Sequence, residues 1–101
     1  MTDRLAGAAD VMSVYPALPR KPALLLARLA QSPGRVVTWT DLAMAAEDAT
    51  DCESDWAVVR GGAWKQLKAL NRRHGYGIKV ALHKGVGLRL IAAPGLTGGE
   101  Q

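Results

Sequence analysis

The sequence predicts one small α+β domain in which three helices and a short strand precede a C-terminal β-hairpin. Apolar residues recur at helical spacing in three stretches after residue 21. The pattern changes to strict alternation after Gly75 and Gly77, which is typical of extended strands. A chain of 101 residues has room for one hydrophobic core but not for two.

The two ends of the chain are predicted to lie outside the folded domain, which we place at residues 22–92. Residues 1–21 are expected to form an irregular N-terminal arm, because Pro16 and Pro19 oppose a continuous helix. Residues 93–101 are expected to be a flexible tail. Three apolar residues of the arm are candidates for packing on the core: Val14, Tyr15 and Leu18.

The first helix is predicted to begin near Pro22, because a proline at the first helical position loses no hydrogen bond. Leu25, Leu26 and Leu29 recur on one side of this helix and should be buried. Pro33-Gly34 ends the helix.

A β-prone pair, Val36-Val37, separates the first helix from the second. Thr38 is a suitable N-cap, and Asp41 three residues later gives a weak capping box. The second helix is predicted to run from Trp39 to about Asp48, with Trp39 in the core rather than stacked on a ligand. Its buried residues are expected to be Trp39, Leu42, Ala43 and Ala46.

The acidic segment from Glu47 to Glu53 contains the one cysteine of the chain, Cys52, which excludes an intrachain disulfide. A catalytic or metal role would require carboxylates that are buried or held close together, and the segment lacks the spacing and glycine turn of a cation-binding loop. The two histidines are far apart, and no nucleophile lies at a recognisable distance from a base. We therefore expect a solvated loop, no metal, no cofactor and no enzymatic activity.

The third helix is predicted to be capped by Ser54 or Asp55 and to have an apolar side and a basic side. The apolar side comprises Trp56, Val59, Ala63, Leu67 and Leu70, and the opposite side comprises Gly61, Lys65, Lys68 and Arg72. Gly61-Gly62 conflicts with helix propensity by about 1 kcal/mol per residue. Three explanations remain open: the helix starts only at Gly62, the glycines admit a neighbouring helix, or they admit a nucleic-acid backbone.

The hairpin follows from the alternation of residues 78–82 and 88–90, with a turn at residues 83–87 between them.

Positive charge is concentrated in the C-terminal half of the chain, which contains the third helix and the hairpin. Residues 1–54 contain seven acids and five bases, whereas residues 55–101 contain eight bases and two acids. A basic half of this kind is typical of proteins that bind a phosphate backbone, although exposed lysines also serve solubility.

Three stretches, in matching order, resemble the winged helix-turn-helix effector domain of OmpR/PhoB-type response regulators. They are Leu26 to Thr38 followed by Asp41-Leu42, then Leu67-Lys68 with His74-Gly75, and finally Val80 to Leu90, where the hairpin forms the wing. The resemblance covers residues 23 to 91. Leu88 stands where a tyrosine is usual, and no stretch resembles a phospho-accepting receiver domain.

The resemblance implies a sequence-specific, double-stranded DNA-binding transcriptional regulator of bacterial or phage type. The third helix would enter the major groove, and the wing would contact the backbone or the minor groove. By position, the DNA-binding residues would be Thr38, Trp39, Arg60, Gly61, Lys65, Lys68, Arg72, Arg73 and Lys84. The loop from Glu47 to Glu53 would be a contact for RNA polymerase. Because one small domain buries modest surface on DNA, a homodimer or tandem sites are expected.

The alternative is a winged helix used for protein interaction, with the basic side binding an acidic partner or an RNA polymerase subunit. Steep weakening of binding by salt would favour DNA over such a partner. The sequence shows neither a signal peptide nor an apolar run long enough to cross a bilayer. We therefore expect a cytoplasmic protein without membrane contact.

Overall fold

The computed structural model describes residues 7–45 and 61–96. These residues form four helices and a three-stranded antiparallel sheet. The helices are α1 (Ala8–Val14), α2 (Arg20–Gln31), α3 (Trp39–Ala45) and α4 (Ala63–His74). The strands are β1 (Val36–Thr38), β2 (Lys79–His83) and β3 (Gly87–Ala92). The α+β class is confirmed, whereas the expected number of three helices is wrong.

Helix α2 forms the centre of the hydrophobic core. Leu25, Leu26 and Leu29 are 0% exposed, as their spacing predicts. The helix packs against α1, α3, α4 and β3, so it contacts elements from both described parts of the chain. It begins at Arg20, two residues before the expected start at Pro22. The N–H groups of a first helical turn have no intrahelical partner, so Pro22 is tolerated inside that turn.

Helix α1 is the element that the sequence did not predict, since it lies in the stretch expected to be an irregular arm. Its first turn is stabilised by the Asp10 carboxylate, which accepts a hydrogen bond from the Gly7 N–H at 3.1 Å. Val11 is fully buried, and α1 packs along α2. Pro16 follows the helix end. A short helix of this kind depends on tertiary packing rather than on its own propensity.

Tyr15 joins the N-terminal residues to the C-terminal end of the fold. Its hydroxyl donates a hydrogen bond to the Pro94 carbonyl, and its ring lies 4.7 Å from the ring of Tyr76. The Tyr76 hydroxyl in turn accepts a hydrogen bond from the Ala17 N–H at 3.1 Å. Residues 93–96, predicted as the start of a flexible tail, are therefore packed against the body of the domain.

Strand β3 lies in the middle of the sheet, between β1 and β2. Leu88 and Leu90 point into the core and are almost completely buried, and Val37 pairs with Leu88 from the neighbouring strand. The short β-prone pair predicted from sequence is thus an edge strand of three residues that joins the hairpin. The sheet holds the hairpin against the helices.

Gly87 allows β1 and β3 to approach each other closely. It is buried and pairs with Thr38 on one side and with His83 on the other. A Cβ atom at this position would lie 1.8 Å from the Val37 carbonyl oxygen and 2.9 Å from the Thr38 Cα. Any side chain here would have to push the two strands apart.

Helices α3 and α4 begin at caps that can be compared with the sequence. The Thr38 Oγ1 accepts a hydrogen bond from the Asp41 N–H at 3.2 Å, which confirms the N-cap of α3. Helix α4 begins at Ala63, because Gly62 takes up φ −116° and ψ −97°, outside the helical region, and the predicted cap at Ser54 or Asp55 lies outside the described residues. The start at Gly62 was one of the three open explanations. The segment from Glu47 to Glu53 lies outside the described residues.

We expect Gly87→Ala to lower the free energy of unfolding by about 3 kcal/mol or more, because the new methyl group overlaps backbone atoms of β1. Urea denaturation of the purified protein measures this. Gly61→Ala is the matched control, since a Cβ at Gly61 meets nothing within 4 Å. A loss below about 1 kcal/mol for Gly87→Ala would show that β1 moves away easily.

We expect the stability conferred by Tyr15 to decline at alkaline pH. Burial raises the pKa of the Tyr15 phenol above its ordinary value of 10.0, and the neighbouring Tyr76 phenol adds to this. The folded state therefore keeps its proton at a pH where the unfolded chain loses it, so stability present below pH 10 is lost as pH rises further.

The measurement is urea denaturation of the wild-type protein and Tyr15→Phe at about pH 8 and at about pH 11. At the lower pH the variant should be less stable by about 1 kcal/mol, because phenylalanine cannot donate to Pro94. At the higher pH the difference should shrink. A difference that stays constant across this range would contradict the assigned pKa direction.

Candidate nucleic-acid interface

Helix α4 presents cations to solvent along one side and buries apolar residues along the other. Lys65, Lys68 and Arg72, which we call the basic face, are exposed and lie three and four residues apart, as a helical stripe requires. Leu67 is buried on the other side, and Trp64 is buried at the border between the two sides. The Lys68 ammonium lies 5.2 Å from the centre of the Trp64 ring, a cation–π distance.

The C-terminal end of α4 is closed by a glycine in the left-handed region. Gly75 has φ 63° and ψ 38°, and its N–H donates to the Asn71 carbonyl. Arg72 and Arg73, both exposed, lie in the last helical turn, where the helix dipole favours positive charge. Cations at this end are thus compatible with the helix that carries them.

Asn71 fixes the orientation of α4 relative to the hairpin. Its side-chain amide donates to the Ile78 carbonyl at 2.9 Å, and its side-chain oxygen accepts the Ile78 N–H at 3.0 Å. These two bonds satisfy both the N–H and the carbonyl group of Ile78, which is only 6% exposed. Helix α4 and the hairpin are therefore joined immediately before β2 begins.

The hairpin, residues 79–92, carries the predicted cation at its tip. Lys84 is exposed, next to Gly85, whose φ of 79° allows the chain to reverse there. Further along the hairpin, the Arg89 Nε donates a hydrogen bond to the His83 Nε2 at 3.2 Å. This bond connects β3 to the end of β2.

The start of α3 lies beside the turn of the hairpin. The Trp39 N–H donates to the Val86 carbonyl at 3.1 Å, and Thr38 pairs with Gly87. The Trp39 side chain is 7% exposed, as expected of a core residue. Since the Asp41 N–H is bonded to Thr38, two N–H groups at this helix start are already used within the fold. A phosphate at this place would need another donor.

The structure brings some of the predicted residues together and leaves others separate. The three cations of the basic face share one side of α4, whereas Lys84 lies on a different element. Gly61 is exposed and precedes the N-cap of α4. Arg60 lies outside the described residues, as does the loop predicted to contact RNA polymerase.

Two cations of the hairpin, Lys79 and Arg89, were not singled out from the sequence. Lys79 lines a groove together with Lys68 and Arg72. Lys79 and its neighbour Val80 both line this groove, next to a one-residue register shift between β2 and β3. The absence of carboxylates nearby was the signal available in the sequence, since residues 61–96 contain seven lysines and arginines and no aspartate or glutamate.

Carboxylates in the described residues lie elsewhere in the fold. Asp10 caps α1, and Asp41 lies 4.0 Å from Arg28, between α3 and α2. The cations of α4 and the hairpin therefore have no carboxylate partner among residues 7–45 and 61–96.

Other classes of site receive no support from the described part of the chain. Residues 7–45 and 61–96 contain no group of three or more histidine, cysteine, aspartate or glutamate side chains that could hold a metal ion. Over the same residues, no helix is both long enough and apolar enough to cross a membrane. Comparison of the chain with protein-family models, curated proteins and solved structures finds no match in any of the three.

We expect Asn71→Ala to destabilise the protein by about 2 kcal/mol, because it leaves two buried backbone groups of Ile78 without partners. Urea denaturation measures the loss, and hydrogen exchange should show faster opening at the Ile78 N–H. Arg73→Ala is the matched control, because Arg73 is exposed and lies two residues after Asn71 in the same helix. It should change stability by less than about 0.5 kcal/mol. Equal effects of the two substitutions would contradict the role of Asn71.

Proposed function

We propose that this protein is a sequence-specific, double-stranded DNA-binding transcriptional regulator of the winged helix-turn-helix type. The observation that carries the proposal is the uninterrupted positive charge of residues 61–96, concentrated on the exposed side of α4 and on the hairpin. The resemblance of the sequence motifs to OmpR/PhoB-type effector domains supports the same function.

In this proposal, α4 enters the major groove with its basic face toward the bases. Lysine and arginine can donate hydrogen bonds to guanine O6 and N7 as well as to phosphate oxygens. The basic face can therefore both recognise base pairs and position the protein on the DNA backbone. Lys84 would lie against the backbone or the minor groove, with Gly61 and the flanking Arg60 and Arg73 near the phosphates. Because one such domain buries little DNA, we propose binding as a homodimer or at tandem sites, in the cytoplasm.

Burial on the opposite side of α4 supports the geometric part of the proposal. Trp64 and Leu67 anchor the helix in the core, so the basic face is held in one orientation. The paired bonds from Asn71 hold the wing next to the helix end. A helix and a wing that keep a fixed relation can contact one duplex at the same time.

We expect fluorescence anisotropy with pooled short duplexes to show binding that weakens steeply between about 50 and 200 mM salt, because phosphate contacts release counterions. The double variant Lys65→Ala/Lys68→Ala should bind more weakly. Its plot of log affinity against log salt concentration should be less steep, with a slope smaller in magnitude by about two. Arg35→Ala, which removes an exposed cation from the turn before β1, is the matched control and should bind as the wild type does.

Two results would contradict the proposal. Absence of binding at either salt concentration would remove the DNA-binding function. Binding by the double variant that equals wild-type binding would show that the basic face of α4 is not the contact surface.

A further inference from the structure

A groove of about 370 Å³ lies between α4 and the start of the hairpin. Lys68 and Arg72 lie on its helix side and Lys79 on its hairpin side. All three side chains are exposed, and none has a carboxylate partner among the described residues. We call this feature the helix–hairpin groove.

Apolar side chains form the inner surface of the helix–hairpin groove. Leu67 and Ile78 are buried beneath it, Val80 is half-buried, and Ile91 is 55% exposed. Asn71 also lines the groove, but its amide is already bonded to the Ile78 backbone. The groove thus offers positive charge at its edges and apolar surface between them.

The pairing of β2 with β3 shifts by one residue beside this groove. Lys79 pairs with Ala92 and Val80 pairs with Leu90, so Ile91 is the extra residue between two paired positions. Such bulges are common beside functional sites. Covering the exposed Ile91 side chain with an apolar group of a ligand removes apolar surface from water, which favours binding.

We propose that the helix–hairpin groove binds an extended acidic segment of a partner protein in which one large apolar residue lies between two carboxylates. Lys68 and Arg72 are four residues apart on α4, which places them about 6 Å apart along the helix axis. Alternate side chains of an extended peptide repeat at about 6.6 Å, so two carboxylates can meet these two cations. The apolar residue between them then faces Val80 and Ile91, with Lys79 on the opposite edge.

The observations favour a peptide over the other anions that could enter. A DNA backbone would meet the cations but would leave the apolar surface of Ile91 uncovered. A small carboxylate would be poorly enclosed, because ligand pockets usually bury most of a small molecule whereas this groove is open along one side. The site goes beyond the proposed function and shares Lys68 and Arg72 with it, but peptide binding is measured directly and does not depend on DNA binding.

The test is fluorescence anisotropy of a labelled synthetic peptide containing Glu-Leu-Glu, with the same peptide carrying Glu-Ser-Glu as the matched control. We expect the first peptide to bind with a Kd below about 1 mM at low salt, and the second to bind about tenfold more weakly. Ile91→Ser should weaken binding of the first peptide about tenfold and leave the second unchanged. Leu82→Ser, an exposed leucine in β2 that does not line the groove, should change neither.

Three outcomes would overturn the proposal. Equal affinity for the two peptides would show attraction by charge alone, and no binding up to about 1 mM would show that the groove takes no such segment. Octanoate binding that is sensitive to Ile91→Ser, without peptide binding, would assign the groove to a small amphiphile. Ile91→Ser should retain DNA affinity, so loss of peptide binding and loss of DNA binding are separate results.

Discussion

Burial of the α2 leucines is the interaction on which the rest of the structure depends. Through this helix, α1, α3, α4 and β3 acquire a common core, although they come from distant parts of the chain. Each fully buried leucine contributes on the order of 2 kcal/mol, which is large compared with the net stability of a small domain. The exposed cations of α4 can be held in place because the opposite side of that helix belongs to the same core.

The predictable parts of the fold were those that short stretches of sequence determine. The leucine spacing of α2, the Thr38 cap and the alternation of the hairpin are local patterns, and the structure contains all three. Helix α1 could not be predicted in the same way, because its stability comes from packing on α2. The Tyr15 contact with Pro94 joins residues 79 positions apart, and no local pattern indicates it.

The candidate site shows the same limit. Periodicity alone places Lys65, Lys68 and Arg72 on one side of a helix, and the structure does so. The contribution of Lys79 depends on where the start of the hairpin lies relative to α4, which periodicity along either element does not reveal. The Asn71 bonds to Ile78 depend on how the chain returns after Gly75, which spacing along a helix does not reveal.

The absence of aspartate and glutamate from residues 61–96 affects the stability of the free protein as well as the binding of ligands. Seven cations confined to one helix and one hairpin repel each other, and this self-repulsion opposes compaction. Dissolved ions screen that repulsion over a distance of about 10 Å at 0.1 M ionic strength. Raising the ionic strength should therefore make the unliganded domain harder to unfold while it detaches any polyanion. Salt that removes a bound polyanion would thus take over part of the screening that the polyanion had provided.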